Sequence, residues 1–424
     1  MLPTAKPALL KRSTSSPASL FCRLAGLCLL LGAAPAWSTP LQLEDALRLA
    51  VSQHPAVQQR RSLQDAAKGA LDTAERGRWP SFSGQTGKDY DGKTTVTLRL
   101  EQPLWTGGRL TAQIDQATAG VRSAEAALQE SQQDILVRTT NTYTELGRLE
   151  SRSAAARANV AEHERLRSMI FNRIEQQITA NSDGILVSAR LAQANAELGQ
   201  MQLLATRART TLSQLLGQPV SAITAPTMPS VGVSLLDSAV DAALVFSPTL
   251  HRLDAQAHAA AAEVDLRRSQ TLPQIMLRHE NTSGGLQPSN ATYVALEYQT
   301  GAGLANLRQV QEAQARHQAT LAEQDAARRN VIETVSAHWA DLASFQSQIT
   351  DLQAQVQAQA QVHASYVRQY VAGRKNWIEL LNAQRELAQA RYALADAEWG
   401  LLRSQLQLQL STGQLSASTL TAPS

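Results

Sequence analysis

The 424-residue sequence predicts a mainly α-helical protein with a small β part, assembled from two copies of one unit. Three observations lead there. Ala, Leu, Gln and Arg dominate and aromatic residues make up only 4%, a composition suited to long helices rather than to cores built on rings. Two ungapped stretches of the chain align with two later ones, the mark of an internal repeat. Each copy also holds one short region in which apolar residues recur at every second position, the period of a strand.

The chain opens on a basic, Ser/Pro-rich stretch over residues 1–23, followed by the apolar run Leu24–Ala34 and the small-residue pattern Ala36-Trp37-Ser38. This reads as a secretory signal peptide over 1–38, cleaved after Ser38. The alternative, a membrane anchor, requires about 20 apolar residues, and the run is too short for it. Cys22 and Cys28 both precede residue 39, so the rest of the chain has no disulfide and no thiolate-held metal, as suits export. The formal charge is +3, but residues 1–38 hold Lys6, Lys11, Arg12 and Arg23 and no acid. The remainder is near balance, which implies no nucleic-acid partner.

Residues 43–80 align with 236–273, matching Leu43 to Leu236, Ala46 to Ala239, Pro55 to Pro248, Asp72 to Asp265 and Pro80 to Pro273. Residues 183–217 align with 379–413, where LAQA at 191–194 meets LAQA at 387–390 and Gly217 meets Gly413. The chain therefore divides into a first repeat over 39–217, a linker over 218–233, a second repeat over 234–413 and a tail over 414–424. Each repeat begins with one helix, over 43–76 and 236–269, stopped by Pro80 and Pro273. A β-hairpin follows, over about 80–104 and about 273–300. Val96, Leu98 and Leu100 alternate with Thr97, Arg99 and Glu101, and Val294, Leu296 and Tyr298 alternate with Ala295 and Glu297. The turns are expected near Asp91-Gly92 and near Pro288-Ser289-Asn290. Tyr90, Tyr293 and Tyr298 are candidates for an aromatic girdle, or ordinary strand positions.

Long helices over about 109–178 and 304–371 come next. In the second, Val331, Val335, His338, Leu342, Phe345, Ile349, Leu352 and Val356 alternate three- and four-residue steps, a coiled-coil seam. Turns at 181–184 and 373–377 reverse the chain, and return helices end at Gly217 and Gly413. Four strands cannot close a barrel, and a bilayer does not tolerate open sheet edges. A membrane-inserted sheet therefore requires association: two copies make eight strands and a filled barrel, three make twelve and a lumen. The alternative is a soluble sheet.

Enzymatic signatures are missing from the sequence. Gly84-Gln-Thr-Gly-Lys88-Asp89 is shorter than a phosphate loop, and there is no HExxH or GxSxG. The reading is of a protein that is not an enzyme and uses no cofactor and no metal.

The repeat, the hairpin end Gln102-Pro103-Leu104-Trp105-Thr106-Gly107-Gly108-Arg109 and the segment Tyr370–Ala383 (YVAGRKNWIELLNA) resemble the TolC family of outer-membrane channel proteins. The resemblance spans the chain beyond residue 38. It implies a homotrimer: a trimeric α-helical coiled-coil barrel in the periplasm, joined to a 12-stranded outer-membrane β-barrel with four strands per chain. The linker and tail would form an equatorial belt. It also implies a passive duct, met by a periplasmic adaptor and driven by an inner-membrane ABC transporter or other pump. The phrases over 173–183 and 368–374 look most like members serving type I secretion of large adhesins. Drug or metal efflux is the alternative, and a periplasmic adaptor protein is a further one.

The resemblance also places a periplasmic tip or gate at Asp183, Glu379, Asn382, Lys375 and Tyr370. Asp183 and Glu379 would form carboxylate rings under threefold symmetry. Lys375 and Tyr370 match positions that hold the tip closed, and Asn382 sits where an acid is frequent, so a second ring would be lost. Local capping competes with this: Asn376 and Glu379 have capping-box spacing, and Asp183 suits a helix N-terminus. Trp105, Gly107 and Gly108 mark the barrel-to-tube transition, where glycine permits a change of direction. Trp105 fits either a membrane interface or a packed rim.

Overall fold

The structure is a computed structural model that describes residues 40–88, 90–226, 235–285, 288–298 and 301–421. The expected signal peptide lies outside the described residues. The order of elements repeats along the chain: α1 (Leu43–Gln53), α2 (Pro55–Arg76), β1 (Ser81–Lys88), β2 (Thr94–Trp105), α3 (Arg109–Glu175) and α4 (Asn181–Leu216). The second series is α5 (Leu236–Phe246), α6 (Pro248–Ser269), β3 (Gln274–Gly284), β4 (Ser289–Glu297), α7 (Ala305–Val371) and α8 (Trp377–Ser411), followed by α9 (Ala417–Thr421).

The opening helix of each repeat is two helices rather than the single one expected. His54, with extended backbone, and Ser247, with non-helical backbone, cap the following segment, with Pro55 and Pro248 at its first position. Proline cannot donate within a helix but fits its first turn, so each proline starts a new helix. The second hairpin turn also falls earlier than expected. Ser289 and Asn290 already pair with Thr282 and Asn281.

The helices α3 and α7 each run 67 residues, which at 1.5 Å per residue is about 100 Å. Shorter helices stack along them. Near the sheet α6 covers α3, through Gln116 to Glu263 at 2.9 Å and Arg252 to Glu130 at 2.7 Å. Further along, α8 takes its place, through Asn141 and Gln407 at 2.9 Å and a buried Asn159–Gln384 bond at 2.9 Å. On the other flank α2 gives way to α4 in the same manner, through Gln64 to Glu125 and Arg209 to Glu150. The seam residues Val335 and Leu342 are buried against Leu401 and Leu408 of α8, with Val331, Phe345 and Ile349 beside them.

The largest core lies at mid-length. Leu47, Ile135, Leu136, Leu212 and Leu216 are buried together there with Tyr143. Burial of such side chains contributes about 1.5–3 kcal/mol each. Leu41 bridges Ile223 in parallel, and the Tyr143 hydroxyl lies 2.8 Å from the Leu41 carbonyl and 2.6 Å from that of Thr224. Tyr143 thus ties the start of the first repeat and the linker to α3. Burial pushes its phenol up to about 12.

The four strands form one antiparallel sheet in the order β1-β2-β3-β4, with β1 and β4 at its edges. Opposed residues share a face. One face carries Phe82, Val96, Leu98, Leu100, Leu277, Val294 and Leu296, all more than a third exposed, interspersed with the polar residues Gln102, His279 and Asn281. The other carries Thr97, Arg99, Glu101, Arg278, Glu280 and Tyr293. Gly84 to Lys88 is extended strand within β1, not a phosphate loop. Among the described residues no helix is long and apolar enough to cross a membrane.

Candidate gate at the helical tips and the sheet-to-helix junction

The two reversing turns meet at the end of the helices remote from the sheet. Leu166 and Ile170 of α3, Val187 of α4, Tyr370 of α7 and Trp377, Leu380 and Leu381 of α8 form one buried cluster there. Asp183 and Glu379 each occupy the third position of their helix, where a carboxylate faces unpaired backbone N–H groups and the positive end of the helix dipole. Asn376 caps α8 by accepting from the Ile378 amide at 3.1 Å. Glu379 does not complete the capping box, because its carboxylate is held by Lys375 at 3.0 Å. The Lys375 ammonium also lies over the Tyr366 ring, 4.6 Å from its centre. Glu379 and, more weakly, Tyr366 hold that ammonium above its ordinary pKa. Asn382 is exposed and lines a small cavity with His163, Arg190 and Arg385.

Tyr370 is buried, and its hydroxyl has no hydrogen-bond partner among the described residues. Its other groups are engaged by Arg173 of α3. The guanidinium donates to the Tyr370 carbonyl at 3.1 Å and stacks on the ring at 4.7 Å. Lys375 and Glu379 therefore pair within one turn, while Arg173 and Tyr370 link the two repeats. Sequence reading missed the role of Arg173. The only signal was an arginine shortly before the first turn, and its partner lies in the other copy.

Both long helices end in the same way. Past α7, Arg374 donates to Gln369 and Gly373 to Tyr370, closing a Schellman cap with Gly373 at φ +71°. Past α3, Ile178 donates to Arg173 and Gln177 to Ile174. Here the left-handed position, φ +57°, is filled by Gln177 rather than glycine.

At the other end, β2 turns into α3 through Thr106, Gly107 and Gly108. Gly107 has φ +61° and Gly108 φ +89°. A Cβ on Gly107 would lie 3.0 Å from Cβ of Leu272, so glycine also permits close approach of the α6–β3 corner. The register shifts between Pro103 and Trp105. The extra residue reverses the alternation and sets Trp105 opposite Ile275, on the apolar face. Trp105 is 47% exposed there. Tyr293 sits on the polar face instead, donating to Glu280 at 3.1 Å, so it cannot join a girdle on the apolar side. In the second repeat the junction uses Gly301, Gly303 and Leu304, all at positive φ. Among the described residues no group of three or more His, Cys, Asp or Glu is placed to hold a metal ion.

Paired long helices carrying a four-stranded sheet at one end are the protomer architecture of the solved outer-membrane channels. The chain is similar to the outer-membrane channel OprN, with 20% identity over 88% of this chain and 89% of that one and a TM-score of 0.79. It is similar to the outer membrane protein VceC from Vibrio cholerae, with 19% identity over 88% and 96% and a TM-score of 0.77. It is also similar to the open state of the Neisseria gonorrhoeae MtrE channel, with 14% identity over 88% of each chain and a TM-score of 0.73. No curated protein matches the sequence. Residues 46–218 and 239–414 each match the outer membrane efflux protein family, one match per repeat, and the chain belongs to that family.

Proposed function

We propose that this protein is the outer-membrane exit duct of a tripartite export system, built from three copies. The observation that carries this is the two-faced sheet with open edges. Its apolar face suits hydrocarbon, but unpaired edges cost several kcal/mol per backbone group in a membrane. The edge strands β1 and β4 run in opposite directions. The β4 strand of one copy can therefore pair antiparallel with β1 of the next, and a ring leaves no edge. Three copies give twelve strands, enough for an open lumen. The helices then form a tube in the periplasm. The residues Asp183, Glu379, Asn382, Lys375 and Tyr370 lie at its gated tip, and Trp105, Gly107 and Gly108 at its junction with the barrel. A periplasmic adaptor and an inner-membrane ABC transporter or other pump complete the assembly, and the pump supplies the energy.

The cargo we propose is a large secreted protein such as an adhesin, on the strength of the phrases over 173–183 and 368–374. A second reading, efflux of drugs or metals, is favoured by the family matched. The deciding experiment for the duct is the native mass of the protein extracted from outer membranes in mild detergent. Three copies are expected, whereas a monomer that needs no detergent refutes the barrel and favours an adaptor. Deleting the gene then separates the cargoes, since loss of a surface protein supports secretion and drug or metal hypersensitivity supports efflux.

A further inference from the structure

The polar face of the sheet carries a patterned set of charges. Arg99 of β2 opposes Glu280 of β3, and Glu101 opposes Arg278. The pairs close at 3.3 Å and 2.6 Å, and Arg99 reaches Glu101 at 3.8 Å. Tyr293 of β4 donates to Glu280, and Glu297 lies 3.9 Å from Arg278. Within the quartet each charge has an opposite charge across the strands and another along its own strand, so the four sum to zero. Cross-strand placement of opposite charges is stabilising, and like charges directly opposed are not.

We propose that Arg99, Glu101, Arg278 and Glu280 form a charge-compensated belt inside the barrel, which keeps that part of the duct from discriminating between cations and anions. This rests on the barrel reading, in which the apolar face meets lipid and the polar face lines the lumen. Repeated in every copy, the quartet offers water and ions a polar wall whose own charges cancel, while Glu297 adds one negative charge per copy at the end of the sheet nearer the helices. Rings of one sign make a pore selective, and matched signs cancel that effect.

The test is the reversal potential of the purified protein in a planar bilayer under a potassium chloride gradient. The dilute side is kept near about 0.1 M, where charges act over about 10 Å. Arg278→Gln leaves Glu101 without its main partner and should raise the cation-to-anion permeability ratio about twofold. Glu101→Gln should lower it by a similar factor, and the two changes together should restore the native ratio. Single variants that conduct with the native ratio overturn the belt. If a single variant fails to insert, Thr97→Asp and Thr97→Lys replace it. Thr97 lies on the same face, its hydroxyl 3.2 Å from that of Thr282, and neither change removes a member of the quartet. Opposite shifts support the belt, and no shift in either overturns it. A protein that forms no conducting pore either in its native form or with the tip loosened by Arg173→Ala refutes the duct reading itself, and the belt with it.

Discussion

Gln177 shows how one residue can hold a turn under strain. Its φ of +57° is an unfavourable region for a residue with a Cβ, and the corresponding position of the second repeat is Gly373. Gln177→Gly should therefore stabilise the tip by about 1 kcal/mol, and Gly373→Gln should destabilise it by a similar amount. Heat dissociation of the native oligomer would show both, with opposite signs. Side chains at the tip also differ in reach. The Lys375–Glu379 pair is local and lies in solvent, where water and salt screen it, so it holds the tip only weakly. Arg173 joins α3 to α7 through a hydrogen bond and a ring contact. Both Glu379→Ala and Arg173→Ala should raise single-channel conductance, and Arg173→Ala more. Unchanged conductance in both would remove these residues from the gate.

Among the helices, α8 is fixed by close contacts with both long helices. Its Trp399 ring lies against Gly147 of α3, and the indole N–H donates to Ser151 at 2.9 Å. The next residue, Gly400, receives the Phe345 ring of α7, whose Cζ lies 2.6 Å from where a Cβ would be. Successive positions of α8 thus accept contacts from both long helices. Gly147→Ala forces the indole aside and should cost about 1–3 kcal/mol, seen as a lower melting temperature. A second link between the long helices is pH-dependent. His363 of α7 lies 3.4 Å from Glu162 of α3, with His163 and Arg165 of α3 and Arg391 of α8 around it. Burial depresses its pKa below 6.5, and this outweighs the pull of Glu162 in the other direction. An imidazole freed into water binds protons more readily than this one. Stability from the packed, neutral ring is therefore complete above 6.5 and is lost as pH falls below it. His363→Gln should reduce the acid sensitivity of thermal unfolding. His338, depressed by burial in the same direction, accounts for a remainder.

For the whole molecule, the two faces of the sheet make contrasting demands. Leu98 lies on the apolar face and Thr97 on the polar one. In a closed barrel, an arginine at Leu98 meets lipid and costs about 2–4 kcal/mol, while an arginine at Thr97 meets water. Leu98→Arg should therefore reduce the trimer recovered from outer membranes, and Thr97→Arg should leave it near native. Equal recovery would argue for a sheet that stays in water.

Much of this architecture was legible in local spacing. The period-two strands, the proline stops and the glycine-rich junction depend on neighbours within a few residues, and the alignment of the two halves of the chain shows them recurring in the same order. The break at His54-Pro55 was legible too, since proline at a first helical position is itself a start signal, and the expected single helix overlooked it. Other features depend on contacts between residues far apart in sequence. The bulge that moves Trp105 onto the apolar face depends on β3 as partner. The placement of Arg278 opposite Glu101, and of Arg173 beneath Tyr370, requires the two repeats to pack together. Periodicity states which residues share a face of one element. Which faces then meet is set by the packing of copies, where burial, charge pairing and close approach at Gly147 and Gly400 act between segments that local sequence does not connect.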